Sequence, residues 1–453
     1  MPSWSRPCQL GIPALLVCGI LGLAGRASGQ DAVTLAESFQ PGRAYRVDVQ
    51  VKLTGRLAVP LEKGKPPQVV TLSGESRLLY DERILAPDEA NTLKAVRAYR
   101  EVEFKRTLGQ APQEASIRAS VRRMVVMKAG PRKAPFSPDG PLTWGEIDVV
   151  RTDVFNPAAI PGLLPSGPVK PGQSWKATDD AVLEITDMEK VEEGSLAVEF
   201  VGLTMLNNRK VARLRVSGSV RGVNEDGPNR QKLEGTAYFD LDAGTLVYLS
   251  LKGTHELLDG SGQTAGVIDG QFTLKRSPLA QPPPDLADAS LAGLVLKPTP
   301  ENTLLLYDNP DLGVRFLYPR GWRVGAVQGK QVTLDHARFG GGILITVEPA
   351  AKVPSADEYA REITTFLRKE KAEVTASEPP TRVRAEPVQL DRFRMDAAFG
   401  SEKVRLEYAV LKQSDGGATV AARLPAEKAA ELQGDIERII RSLAVTKRIE
   451  EKK

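Results

Sequence analysis

The chain has 453 residues, a net charge of +4, 41% hydrophobic residues and 26% charged residues. That length suits two or three domains, and that composition excludes both a disordered polymer and a multi-span membrane protein. So small a positive surplus also argues against whole-chain nucleic-acid binding. Two cysteines and two histidines leave little material for thiol, zinc or triad chemistry.

Residues 1–29 read as a secretory signal peptide. Arg6 is the positive start, Ile12 to Leu23 the apolar stretch, and Ala27-Ser28-Gly29 the small-residue cleavage site before Gln30. The stretch is short for a membrane span and is broken by Gly11, Pro13, Gly19 and Gly22. Val17 before Cys18 does not fit a lipobox, which needs a small residue there. Both cysteines, Cys8 and Cys18, fall inside this peptide, so the mature chain has none and relies on packing. The expectation is an exported bacterial protein, periplasmic or at the cell surface and beyond.

Residues 30–276 form the first domain. Over 43–54, Tyr45, Val47, Val49, Val51 and Leu53 alternate with Arg46, Asp48, Gln50 and Lys52, the period of a half-buried antiparallel strand. Similar runs follow at 69–80, 95–107, 116–128, 181–187, 196–204, 211–220, 233–241, 245–257 and 266–275. Asp242-Ala243-Gly244-Thr245 is a hairpin turn between two of them. Helix signals are weak apart from a short turn over Pro87–Lys94, so a large antiparallel β domain is predicted. Residues 130–175 make a long Pro- and Gly-rich loop carrying Phe136, Trp144, Phe155, Leu163, Leu164 and Trp175. It either plugs the sheet with apolar side chains or forms a lid over a ligand.

Residues 277–303, with Pro282–Pro284, read as a stiff linker, whose Leu291, Leu294 and Leu296 are candidates to dock on a neighbour. From 304 to 446 the pattern mixes strands at 313–318, 322–327, 331–335, 342–348, 381–386, 389–399, 403–412 and 417–422 with two helices. The first helix opens on a capping box, Ser355 to Glu358, and carries Tyr359, Ile363, Phe366 and Leu367 at helical spacing. The second runs from about Ala426 to Leu443, with Leu432, Ile436, Ile439 and Ile440 on one face. Residues 447–453 are a charged tail. The fold class expected is α+β: a large antiparallel β-rich N-terminal domain followed by an α/β sandwich.

The stretch Asn309 to Val324, an aromatic strand running into Tyr318-Pro319-Arg320-Gly321-Trp322, resembles the opening of a PsbP-like (Mog/PsbP-type) domain. The order that follows (a Gly-rich hairpin, the helix capped at Ser355, a meander, a last helix) fits over about 305–445. The resemblance implies a PsbP-like sandwich that serves as a binding or assembly module, without a catalytic set to carry over. In the β domain, Tyr238 to Thr245 resembles hairpins of lipoprotein-carrier (LolA-like) sheets. Leu164-Pro165 through Gly172-Gln173-Ser174-Trp175 is similar to uncharacterised bacterial exported proteins.

Catalytic patterns are sparse. His255 has Glu256, Asp259 and Ser261 nearby but no nucleophile elbow, and His336 sits beside Asp335 at a hairpin position. Asp240-Leu241-Asp242 opens like a calcium loop, yet Leu251 stands where the twelfth-position Glu is required. No cofactor and no metal is expected. Between Lys94 and Lys133 eleven Lys or Arg face three Glu, and Arg118 and Arg122 share a predicted strand face. Between Asp179 and Glu199 eight acids face Lys190 alone. Either the two stretches pair across the sheet, or Arg118 and Arg122 present a basic face to an anionic surface, a peripheral membrane contact included.

The function expected is non-catalytic binding or assembly in the bacterial envelope, with an envelope protein as partner and no nucleic acid. The alternative is a carrier of an apolar, lipid-like ligand lined by Phe136, Trp144, Leu163, Leu164 and Trp175. A third reading, a carbohydrate-active enzyme, requires two carboxylates about 5–10 Å apart in a cleft.

Overall fold

Runs of period-two alternation become long antiparallel strands. The computed structural model describes residues 32–37, 39–59, 67–87, 94–129, 132–153, 160–224, 227–384 and 388–449. The expected signal peptide and most of the turn expected over 87–94 lie outside these residues. The strands of the first domain are β1 (Ala44–Val59), β2 (Gln68–Ile84), β3 (Lys94–Leu108), β4 (Ala111–Glu114), β5 (Arg123–Ala129) and β6 (Arg132–Lys133). They continue with β7 (Ser174–Lys176), β8 (Lys190–Leu206), β9 (Arg209–Asn224), β10 (Gly227–Asp240), β11 (Thr245–Leu258) and β12 (Thr264–Leu279). They form one 12-stranded sheet, ordered β6-β5-β3-β2-β1-β12-β11-β10-β9-β8-β7 with β4 paired to β3. β1 closes on β12, Val47 opposite Arg276 and Val51 opposite Phe272, so the first and last long strands of the domain lie side by side.

The face bearing Tyr45, Val47, Val49, Leu78, Tyr80, Leu214, Phe239, Leu249 and Leu274 is buried. Two short helices, α1 (Trp144–Val150) and α2 (Asp179–Thr186), contribute Ile147, Val149, Val150, Ala181 and Val182 to the same core. The inward alternation read from sequence therefore faces a helical cover rather than a second sheet.

The structure departs from three of these expectations. Residues 181–187 form the end of a helix, not a strand. The Thr178 hydroxyl accepts from the Ala181 N–H, Asp179 and Asp180 occupy the first turn, and Asp187 ends the helix at φ 53°. The strand expected over 116–128 begins only at Arg123, because Ala119–Val121 make a 3₁₀ turn flanked by Arg118 and Arg122, which hence share no strand face. Among the described residues the basic stretch makes no ion pair with the acidic one, since β3 and β8 stand far apart in the strand order. Its arginines bind other acids: Arg97 with Glu82 and Asp153, Arg100 with Asp81 and Asp285, Arg118 with Glu146, Arg123 with Asp139.

The segment expected as a linker is packed against the sheet. On β3, Arg97 and Tyr99 point to the core while Val96 and Ala98 point the other way, and all four are buried. Leu286 and Leu291, the latter in helix α3 (Asp288–Leu291), cover Val96 and Ala98, with Leu294 and Leu296 beside them. Arg83 donates to the Leu286 carbonyl at 2.7 Å and Arg123 to that of Ser290 at 3.0 Å.

The C-terminal part contains β13 (Leu305–Asn309), β14 (Val314–Tyr318), β15 (Trp322–Gln328), β16 (Gln331–His336) and β17 (Gly342–Glu348). Helix α4 (Ala356–Lys369), β18 (Glu373–Arg384), β19 (Gln389–Phe399), β20 (Glu402–Gln413), β21 (Gly416–Pro425), α5 (Ala429–Ser442) and β22 (Ala444–Val445) follow. A seven-stranded sheet runs β15-β16-β17-β21-β20-β19-β18, and a small one runs β13-β14-β22. The fold class is α+β and mostly β. α5 packs Leu432, Ile436, Ile439 and Ile440 into the core with Leu334, Ile345 and Val420. On the other face α4 lays Tyr359, Ile363 and Leu367 against Phe393, Met395 and Tyr408. Trp322 is fully buried and donates Nε1–H to Asp435 of α5 at 3.1 Å. Edge strand β18 carries Pro379 and Pro380 and breaks register with β19, which discourages pairing with another chain.

The two parts meet along a defined seam. Leu142 and Leu305 form a parallel bridge, and the Leu306 N–H donates to the Leu142 carbonyl at 2.8 Å. Arg320 donates to the carbonyls of Thr303, at 3.0 Å, and of Pro135. Burial lowers its guanidinium to about 10, still cationic at neutral pH.

Candidate functional site

The site begins with glycine. Gly253 of β11 and Gly270 of β12 are direct cross-strand partners and point inward. Gly253 faces Leu233 of β10, and Gly270 faces Leu53 of β1, so two leucines bracket a pair of missing side chains. At Gly253 the gap is partly closed, because a Cβ there would lie 2.4 Å from Leu233 Cδ2 and 2.5 Å from the Lys232 carbonyl. At Gly270 it is open, with only the Lys52 carbonyl at 3.8 Å.

Above this floor the helical cover stops. The residues ending α1 (Arg151, Thr152, Asp153) and α2 (Glu184, Ile185, Asp187) form the roof of a cavity of about 230 Å³. Its walls are apolar, chiefly Val51, Leu233, Leu249, Leu251, Ile268 and Phe272. Gln231 and His255 join the helix-end residues as its polar lining. An apolar cavity with a few convergent polar groups is the usual form of a small-molecule site.

The roof is fixed from behind by buried charges. Asp153 accepts from the Tyr80 hydroxyl at 2.5 Å and from Arg97 at 3.1 Å, and Arg97 also binds Glu82 at 2.8 Å. The Arg97 guanidinium lies 4.4 Å from the Tyr80 ring centroid. Burial pushes the Tyr80 phenol well above its ordinary value and the Tyr99 phenol to about 12, so both stay protonated and Tyr80 remains the donor to Asp153. A second buried pair, Arg276 with Glu37 at 2.8 Å, ties the N-terminal segment to β12, and burial raises the Glu37 carboxyl. Removing one partner of such a pair leaves an uncompensated charge, so these contacts hold geometry more than they add stability.

A groove of about 520 Å³ adjoins the cavity, sharing Val51, Leu53, Arg151, Thr152 and Asp187. Its far side is built by Trp144 of α1 and Arg323 of β15, whose guanidinium lies 5.9 Å from the Trp144 ring. Both parts of the chain thus frame the approach to the cavity.

The residues selected from sequence are not brought together here. Phe136 is fully buried in a separate cluster with Val125 and Met127. Leu163 and Leu164 are buried in the main core, and Trp175 packs beside them with its Nε1–H on the Leu163 carbonyl at 2.8 Å. Only Trp144 reaches the site, at the adjoining groove. Arg118 is clamped on buried Glu146, and Arg122 donates to the Arg100 carbonyl at 3.1 Å. His255 lines the cavity. His336 is elsewhere, stacked on Phe339 and edge-on to Trp322. Asp240 caps its own turn, accepting from the N–H groups of Asp242 and Ala243 and pairing with Arg209. The one sequence signal for the cavity was the placement of Gly253 and Gly270 on the inward parity of two alternating strands.

No protein-family model matches the chain. No curated protein matches it either. Among solved structures, the cyanobacterial PsbP (CyanoP) of Synechocystis sp. PCC 6803 is 17% identical, covering 31% of this chain and 92% of that one, at a TM-score of 0.26. MucB in complex with MucA(peri) is 9% identical, covering 89% and 93%, at a TM-score of 0.17. The Pseudomonas aeruginosa MucA/MucB complex is 10% identical, covering 88% and 93%, at a TM-score of 0.16.

Proposed function

We propose that the chain is an exported, non-catalytic binding protein that carries a small apolar, lipid-like ligand between the inward face of its large sheet and the ends of α1 and α2. The observation that supports this reading is the cavity of about 230 Å³ over Gly253 and Gly270. Its walls reward an apolar chain by burial, at about 25 cal/mol per Å² of apolar surface. Its polar residues come from the helix ends and from the strands, Gln231, Lys252 and His255 among them, and supply partners for a polar end of the ligand. Asp153, the carboxylate deepest in the buried network, is engaged by Tyr80 and Arg97 and serves here as a support for the roof.

The test is binding of the neutral fluorescent probe N-phenyl-1-naphthylamine to the purified chain, with native mass spectrometry of protein isolated from its own envelope. The expected result is saturable binding that Gly270→Val reduces about tenfold or more without loss of thermal stability, together with a lipid-sized extra mass. Absence of saturable binding, or equal binding by the valine variant, overturns the reading.

A further inference from the structure

The outward face of the same sheet carries a second, chemically different groove. One cross-strand row reads Arg213 (β9), Tyr238 (β10), Tyr248 (β11), Lys275 (β12), each residue directly opposite the next. The two tyrosine rings are 5.6 Å apart and tilted by 46°. The next row along the strands places Thr236 opposite Ser250, and the row after that places Glu234 opposite Lys252. The tall tyrosine row and the long Glu–Lys row therefore stand on either side of a floor of small hydroxyl residues. The resulting groove measures about 610 Å³ and ends at Arg215 and Leu206.

Each part of this arrangement is suited to a sugar ring. The C–H face of a pyranose is apolar and stacks on an aromatic ring, and a half-buried tyrosine offers such a surface with little rotamer entropy to lose. Ring hydroxyls need short donors and acceptors close to the floor, which Thr236, Ser250 and Glu234 supply. A lipid chain would find a polar floor here, and a protein helix would find no apolar trough. Charge narrows the choice further. Arg213, Arg215, Lys252 and Lys275 face Glu199, Glu234 and Asp48, the last directly opposite Lys275 on β1 and itself bound by Arg77 at 3.6 Å. Arg215 binds Glu199 at 2.8 Å, while among the described residues no acid pairs with Lys252 or Lys275. The surplus is positive and complements carboxylate or other anionic substituents along a chain.

We infer that this groove binds a segment of an acidic polysaccharide, with Tyr238 and Tyr248 as the stacking platform and Lys252 and Lys275 as partners for its anionic groups. This inference stands on the outward face and does not depend on the ligand cavity.

The experiment is affinity measurement, by calorimetry and by retardation in polysaccharide-containing gels, of the full chain with hexameric oligogalacturonate, with its methyl ester, and with poly-glutamate of similar charge. The variants are the double substitution Tyr238→Ala/Tyr248→Ala and the single substitution Lys252→Gln, with thermal unfolding as the folding control. Oligogalacturonate is expected to bind, the tyrosine variant to lose about tenfold or more in affinity, and Lys252→Gln about three- to tenfold. The ester is expected to bind more weakly than the acid, and poly-glutamate more weakly still. No binding of oligogalacturonate overturns the inference. Binding unaffected by loss of both tyrosines overturns it as well, because charge alone is then sufficient, as does equal binding of poly-glutamate.

Discussion

Gly253 and Gly270 are cross-strand neighbours with opposite tolerances. A Cβ at Gly253 collides with a backbone carbonyl as well as with Leu233, so the strand must shift to admit it. A Cβ at Gly270 meets open space, and neither residue has the positive φ that would strain a side chain. Gly253→Ala is expected to destabilise by about 1–3 kcal/mol, the usual cost of overpacking. Gly270→Ala is expected to be neutral or to stabilise by up to about 1 kcal/mol through reduced freedom of the unfolded chain. Urea denaturation of the two variants side by side decides between this asymmetry and a generic glycine effect, which would move both in the same direction.

Among the elements, α1 depends most on one side chain. Glu146 closes the capping box with Thr143 and accepts further hydrogen bonds from the Arg118 N–H at 2.9 Å and from its guanidinium at 2.8 Å. Burial alone would raise this carboxyl, but Arg118 and the two backbone donors outweigh it and hold it below its usual 4.5. A folded-state value below the unfolded one means that the stabilisation is present above the unfolded pKa and is lost as pH falls through the folded value. Glu146→Gln is therefore expected to cost about 2 kcal/mol at neutral pH, with the difference from wild type fading below about pH 4.5. Denaturation midpoints across pH 3–7 would show it, and a pH-independent difference would count against the Arg118 pairing.

The same helix shows what could be read in advance. Thr143 to Glu146 is a capping box as clear as Ser355 to Glu358, yet α1 is so short that its apolar residues, Ile147, Val149 and Val150, give no full helical period. In α2 the alternation of Leu183 and Ile185 with Glu184 and Thr186 mimics a strand, and only Thr178 with Asp179 and Asp180 marks a helix start. The long strands and α5 were legible because each repeats its period several times.

At the scale of the molecule, packing turns an expected spacer into a structural clasp. Leu286 is buried against β3, and Arg100 and Arg83 bind Asp285 and Asp288 on either side of it. Leu286→Ala is expected to cost about 2–5 kcal/mol and to expose residues 281–296 to limited proteolysis. Unchanged stability and an unchanged fragment pattern would return this segment to the status of a free tether. The Pro run was visible in the sequence. So were Leu291, Leu294 and Leu296 as docking candidates, but not the surface they meet, because that needs the outward parity of Val96 and Ala98, on a strand whose inward side is already committed to Arg97 and Tyr99. The cavity was hidden for a similar reason, since its floor exists only when β11 and β12 are in register.

The sheet is one polypeptide layer thick, and β10 and β11 carry features on both of its sides. Leu233 and Gly253 form part of the inner floor, while Glu234, Lys252 and the tyrosine pair stand outside, with Lys252 reaching the rim of both hollows. Anything that changes the pitch of these two strands from one side is felt on the other. Two occupants would then be thermodynamically linked, each altering the other's affinity by the same factor, with no conduit longer than the thickness of a backbone.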